Sequence, residues 1–411
     1  MQKLISNIKG DRVIWAVVVI LSLVSVLAVY SSTGTLAYRM REGHTEYYLF
    51  KQLSVLALGL VIIYVAHRVN YVIYSRLAVI FFLIVIPLLI YTLFFGSTIN
   101  DASRWIKLPV INLTFQTSDM AKLALFMYVS RQLSRKQNVI KDFKKGFLPI
   151  LFPVCLICLL IMPANMSTAL LLGASCLLLC FIGRVRTRHL LGFVGAGLGV
   201  VAIVVAIVLS TGVGGGRVTT WKHRLEHFTK EDKIGDGPYQ VKQAKIAIAG
   251  GGTFGKGPGN SDQRNFLPHP YSDFIFAIIL EEYGMVGGCV LILCYLIFLL
   301  RSIRIFRRCP YAFGAFLCIG LSFTLVIQAF ANMAVAVNLM PVTGITLPLV
   351  SMGGTSIWFT SLAIGIILSV SRNVEAMDDK AKRGIATDEA TDETEAETDP
   401  VIPGPAAWQA G

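Results

Sequence analysis

Charge is what this chain most lacks. Asp, Glu, Lys and Arg together make up 15% of its 411 residues, against 55% apolar residues, which excludes an ordinary soluble domain arrangement. The alternation and short strands of a membrane barrel are missing too, so helices must satisfy the backbone in lipid. No internal repeat marks an inverted-repeat transporter. Cysteine is scarce where it would serve as a staple. Seven of the eight cysteines sit in apolar runs and the eighth is Cys309, so no disulfide holds an external loop. Cys155/Cys158 and Cys176/Cys180 share helical faces and read as small packing residues.

What is present is a series of long apolar runs, near 13–31, 49–66, 76–95, 117–133, 147–163, 165–182, 189–210, 273–300, 311–336 and 346–370. The fold class is therefore all-α, a polytopic membrane protein of about ten transmembrane helices. Lys and Arg gather in alternate connections: Lys3, Lys9 and Arg12; Arg131 to Lys145; Arg184, Arg186 and Arg188; Arg301 to Arg308. The positive-inside rule places these in the cytoplasm, with both termini, and turns 96–116, 211–272 and 337–345 outward. The net charge of +13 is then topology, with no need for nucleic acid. One unit, 1–372, carries the large external loop 211–272. The remainder, 373–411, is Asp/Glu/Thr/Ala-rich and reads as a disordered acidic cytoplasmic tail.

Three polar constellations break the apolar pattern. Gly250–Gly257, GGGTFGKG, nearly spells a P-loop, but Gly257 stands where a Ser or Thr would hold Mg²⁺. A flexible turn whose N–H groups approach a phosphate survives that failure, beside the bland reading of a linker. Further on, Asp273 opens the eighth span, with Ser272 as a plausible N-cap. Asp273, Ala277 and Glu281 share a helix face at four-residue spacing, and Glu281 and Glu282 sit roughly 12 Å deeper. Acids at such depth mark functional paths by default. A second group lies in NDASRWIKLPVINLTFQTSDMAKLAL. Asp119 and Lys122 can pair at i,i+3 near the outer surface, preceded by Arg104 and Trp105. The third is Asn332 with NLMPVTGITLPLVSMGGTS, which holds Ser351 and whose prolines and glycines break helices at the external face.

These motifs, in this order and on this topology, resemble the SEDS family (shape, elongation, division and sporulation). The resemblance covers roughly 10–372 and rests on ASRWI, QTSDMAKLAL, GGGTFGKGPGNS, LPHPYSDFIFAIILEEYG and LMPVTGITLPLVSMGGTS. Within it, the wording of the fourth motif and the hydrophilic tail stand nearer the FtsW branch than the RodA branch. Two positions depart from the family pattern. Asp119 stands where QPSExxK has Glu, keeping the charge and shortening the reach. Ala164-Asn165-Met166-Ser167-Thr168 stands where PDxGT is usual, so an acid is lost at Asn165.

The resemblance implies a peptidoglycan glycosyltransferase that polymerises lipid II, a disaccharide-peptide on undecaprenyl pyrophosphate, with inversion at the anomeric carbon. It implies Asp273 as the base for the acceptor 4-hydroxyl. Lys122 and Arg104 would meet the pyrophosphate, with Lys256 or Arg264 assisting. Trp105, Asp119, Glu281, Asn332 and Ser351 complete the expected substrate contacts. No cofactor is legible, although the reaction leaves room for a divalent cation, Mg²⁺ or Mn²⁺, without any ligand set to hold it. The implied partners are lipid II, the nascent glycan strand, a class B penicillin-binding protein and other division proteins. The implied place is the bacterial inner membrane at the division septum. Two other readings stay open: a lipid II flippase using Glu281 and Glu282, and a non-catalytic division scaffold acting through its tail.

Overall fold

The computed structural model describes residues 9–34, 45–99, 102–108, 113–197, 199 and 239–395. The end of the expected seventh span, the loop from 211 to 238 and the last residues of the tail lie outside the described residues. Ten helices can be numbered. They are α1 (Arg12–Ser32), α2 (Thr45–Arg68), α3 (Tyr71–Phe95), α4 (Thr117–Arg135), α5 (Leu148–Ile161), α6 (Met166–Ile182), α7 (Tyr239–Gly251), α8 (Ile275–Arg308), α9 (Ala312–Ala336) and α10 (Thr355–Glu395). A further helical stretch covers 187–197, where the seventh span was expected to begin. Among the described residues seven helices are long and apolar enough to cross a membrane, and α6 is a shorter apolar helix. The chain is a multi-pass membrane protein.

Helix starts follow from short polar side chains that satisfy the orphan N–H groups of a first turn. Asp11 accepts from the Val13 and Ile14 amides, Asn70 from Val72, and Asn165 from Thr168. Asn165, which replaces the acid of the family pattern, is thus the cap of α6. The core centres on α9 and α10, whose most apolar stretches are 72% buried, against 28% in α3. Gly320 on α9 lets Leu179 of α6 and Phe126 of α4 close in, since a Cβ there would meet both side chains. Small residues at such crossings are how membrane helices gain packing.

Two departures from the sequence reading concern elements outside the main spans. Residues expected only as an external loop form a three-stranded antiparallel sheet: β1 (Ser97–Ile99), β2 (Ala102–Leu108) and β3 (Leu113–Gln116). Trp105 pairs with Gln116 and Ile106 with Phe115. The sheet is pinned to α10, where the Phe115 and Phe359 rings meet edge-on at 5.4 Å and the Thr355 hydroxyl accepts the Gln116 N–H at 3.3 Å. At the other end of the chain, α10 runs past the boundary expected at 372 and stays helical to Glu395. The helix is tied down across that boundary: Ser371 Oγ accepts the Asp11 N–H at 3.0 Å and the Glu375 carboxylate that of Gly10 at 2.8 Å.

Candidate functional site

Asp273 lies just before α8 rather than in its first turn. The helix begins at Ile275 without a side-chain cap, and the Ser272 hydroxyl donates to Asp273 Oδ1 at 2.9 Å. The capping role expected of Ser272 is therefore not the one it fills. Residues 271–274 form a turn whose backbone is held from two sides. Asn332 of α9 donates through Nδ2 to the carbonyls of Asp273 (2.9 Å) and Ile345 (2.7 Å). Ser351 donates to the Ser272 carbonyl at 2.6 Å, and the Met352 N–H to that of Tyr271 at 2.9 Å. Asn332 and Ser351 thus grip the main chain beneath Asp273. The Asp273 side chain itself is half-buried. The Tyr271 hydroxyl is pushed up by burial first, then by Tyr48 and the Asp273 charge.

Asp119 and Lys122 make the ion pair expected of them, at 2.6 Å, with Asp119 only 4% and Lys122 15% exposed. Lys122 also donates to Gln328 Oε1 at 2.9 Å, while Gln328 Nε2 donates to the Thr346 carbonyl at 2.9 Å. Sequence reasoning passed over Gln328. Its signal is a buried amide four residues before Asn332 on an otherwise apolar helix, hence on the same face. That face joins the two polar groups: Gln328 reaches Lys122 and Thr346, and Asn332 reaches Ile345 and Asp273. Two small cavities flank Lys122, of about 30 and 20 Å³. Each has room for about one water molecule.

The glycine-rich run does something other than wait for a phosphate. α8 is interrupted at Gly284, whose φ of 65° and ψ of −165° are non-helical. The Glu281 and Glu282 carbonyls accept the N–H groups of Lys256 and Gly257, both at 2.9 Å. In return the Met285 and Val286 N–H groups reach the Gly252 and Thr253 carbonyls, at 3.0 and 3.2 Å. The kink and the loop repair one another, as broken helices in lipid require. Glycine is obligatory here because a Cβ on Gly255 would overlap the Glu282 carbonyl, and one on Gly284 that of Thr253. The expectation of a flexible turn with N–H groups ready for phosphate is corrected: those of Gly255, Lys256 and Gly257 are already spent.

Side chains reinforce this clasp. Glu281, fully buried, takes Lys256 Nζ at 2.8 Å, the Ser261 hydroxyl, and the Asp262 and Gln263 N–H groups at 3.2 and 3.3 Å. Lys256 also pairs with Asp262 at 2.9 Å. Ser31 of α1 donates to Glu282 Oε1. Arg264 donates to the Ser31 and Gly259 carbonyls at 3.2 and 2.9 Å. Glu281, Lys256 and Arg264, expected at the substrate, are here holding loop to helix. Arg104 and Trp105 are neighbours on β2, and the side chain of Arg104 lies outside the described residues. Among the described residues no three His, Cys, Asp or Glu side chains gather to hold a metal ion.

Residues 11–376 match the FtsW/RodA/SpoVE family, described as cell cycle proteins. The chain belongs to that family. It is 33% identical over 368 residues to the probable peptidoglycan glycosyltransferase FtsW of Geobacter sp. strain M18, covering 88% of this chain and 96% of that one. It is 32% identical to the stage V sporulation protein E of Bacillus subtilis strain 168, covering 88% and 97%. Among solved structures, a chain of a peptidoglycan synthase complex that coordinates polymerization and crosslinking matches with a TM-score of 0.68 at 24% identity, covering 89% of this chain and 98% of that one. The rod shape determining protein RodA of Thermus thermophilus matches at 0.63 and 23%, covering 90% and 98%. At that identity these two establish the shared fold.

Proposed function

We propose that this chain is a peptidoglycan glycosyltransferase that joins lipid II units on the outer face of the bacterial cytoplasmic membrane, with Asp273 as general base. The observation that carries the assignment is a contrast in occupancy. Of the motif carboxylates, Glu281 is saturated and Asp119 is ion-paired. Asp273 keeps a half-exposed side chain on a braced turn, where an acceptor hydroxyl can reach it.

In the reaction the acceptor 4-hydroxyl oxygen attacks the donor's anomeric carbon and its proton passes to the Asp273 carboxylate. The bond from that carbon to the pyrophosphate breaks, and undecaprenyl pyrophosphate leaves with the electron pair. One displacement inverts the anomeric centre. Lys122, oriented by Asp119 and Gln328, supplies positive charge toward the leaving group, with Arg104 and Trp105 on the adjoining sheet. Among the described residues no cluster of His, Cys, Asp or Glu gathers to hold a divalent cation, and no step is routed through one. Septal division is the proposed setting and a class B penicillin-binding protein the proposed crosslinking partner. Glu281 is held by the loop and Glu282 Oε1 by Ser31, a structural role for both acids that a flippase reading does not call for.

The test is polymerisation of lipid II by the chain together with its penicillin-binding protein, the transpeptidase blocked by a β-lactam, with glycan strands resolved on a gel. Asp273→Asn should bind lipid II and fold as the wild type does, yet make no polymer. Wild-type polymerisation by that variant would return Asp273 to a structural role.

A further inference from the structure

The opposite end of the bundle carries a charge cluster that the proposed reaction does not use. The link between α4 and α5 folds onto the link after α6. Phe143 and Phe147 pack on His189, with ring centroids 5.2 and 6.1 Å apart. Gly146 closes the turn, since a Cβ there would overlap the Val139 carbonyl. Seven exposed cations result: Arg135, Lys141, Lys144, Lys145, Arg184, Arg186 and Arg188. Among the described residues none of the seven is in an ion pair. The single acid among them, Asp142, is turned to its own backbone, accepting the Lys144 and Lys145 N–H groups at 2.8 and 3.0 Å. Those bonds, Lys145 first, hold its carboxyl below the usual range, helped by the charges of Lys145 and of Arg186 from the other link.

Two features go beyond the positive-inside bias. Arg184 adopts φ 64°, a left-handed conformation that glycine or asparagine takes at less cost, so an arginine there keeps a charge against its backbone preference. Apolar side chains stand exposed among the cations: Phe143 at 45%, Leu148 at 44% and Val139 at 40%. Because α4 ends at Arg135, α5 begins at Leu148 and α6 ends at Ile182, this surface lies at the level where helices leave the bilayer. Lysine and arginine beside an exposed phenyl suit the boundary of phosphate headgroups and acyl chains.

We propose that the surface formed by residues 135–148 and 184–189 is a binding site for anionic phospholipid, holding the headgroup phosphate among the seven cations with Phe143 in the acyl boundary. The site fixes the α4–α5–α6 end of the bundle to the lipid while substrate is handled at the other end.

The full chain, purified in detergent and mixed with equal phosphatidylglycerol and phosphatidylcholine, would be assayed for retained lipid by native mass spectrometry. Wild type should retain phosphatidylglycerol preferentially. Lys144→Gln/Lys145→Gln/Arg186→Gln should lower that preference on the order of tenfold or more, given the attraction of each cation near an anionic surface. Arg304→Gln/Arg307→Gln, with two exposed cations elsewhere, should leave it unchanged. Equal loss in both variants would mean diffuse surface charge and overturn the site. So would a wild type with no preference, a measurement that needs no variant to fold. A preference that appears only after deleting 380–411 would make the acidic tail the occupant, and would equally overturn it.

Discussion

The two acid-bearing regions flanking the start of α8 are built on opposite plans. At Glu281 every carboxylate oxygen is engaged by a loop that the helix itself interrupts to receive. At Asp273 the protein engages the backbone instead, through Asn332 and Ser351, and among the described residues leaves the carboxylate with one neighbouring hydroxyl. A buried charge that is fully paired holds structure. One whose main chain is fixed while its side chain keeps a free edge is suited to proton transfer. Residues only eight apart in one motif thus divide into holding and reacting.

The largest effect that would break this comparison is on activity at Asp273. Asp273→Asn should lower kcat by about 10²- to 10⁴-fold, the usual worth of a positioned base, with an unchanged melting temperature. Next comes the kink. Gly284→Ala puts a Cβ on the Thr253 carbonyl at φ 65°, and should cost about 3 kcal/mol through strain and overlap, read as a fall in melting temperature. A variant that melts with the wild type would mean the clasp is not formed. Glu281→Gln should follow at about 2 kcal/mol, because Lys256 is 32% exposed and keeps Asp262. Its activity per folded molecule should survive, the inverse of the Asp273 pattern.

Asn332→Ala sharpens the comparison from the reacting side. It removes the Nδ2 bonds that tie the Asp273 carbonyl, and with it the turn, to α9 and to the Ile345 carbonyl, and should lower kcat about tenfold, about 1.4 kcal/mol of barrier, with KM nearly unchanged. A rise in KM alone would instead make Asn332 a substrate contact, as the sequence suggested.

The helices were legible because long apolar runs have few alternatives in lipid: 13–31 became α1, and 311–336 became α9 almost to the residue. The Asp119–Lys122 pair was legible because i,i+3 spacing fixes it locally. What stayed hidden depended on contacts distant in sequence. GGGTFGKG resembles a phosphate loop until the break at Gly284, about thirty residues on, turns the Glu281 and Glu282 carbonyls and the Met285 and Val286 N–H groups toward its own backbone. Gln328 gave no sign of its role until Lys122 and Thr346 were placed around it. The strands of 97–116 were hidden by shortness, since three to seven residues carry little periodic signal.

The smallest effect lies at the exposed edge of the clasp, and its sign follows from the two charges. Lys256 pulls the Asp262 carboxyl below its ordinary 3.8. Its stabilisation is therefore present above that value and lost as pH falls through the lower, folded one. Hydrogen bonds donated to Glu281 and then Asp262 hold the Lys256 ammonium above 10.5, so its share is present below 10.5 and lost as pH rises through the higher, folded value. Melting temperature should thus be flat across neutral pH as far as this pair decides it, with shallow falls at both extremes. Both groups meet solvent, which keeps the falls small. Asp262→Asn should remove part of the acid-side fall while leaving polymerisation at neutral pH as it was. If the variant and wild type melt along the same curve from neutral pH down through pH 4, the outer pair contributes nothing, and the clasp rests on Glu281 and the backbone exchange alone.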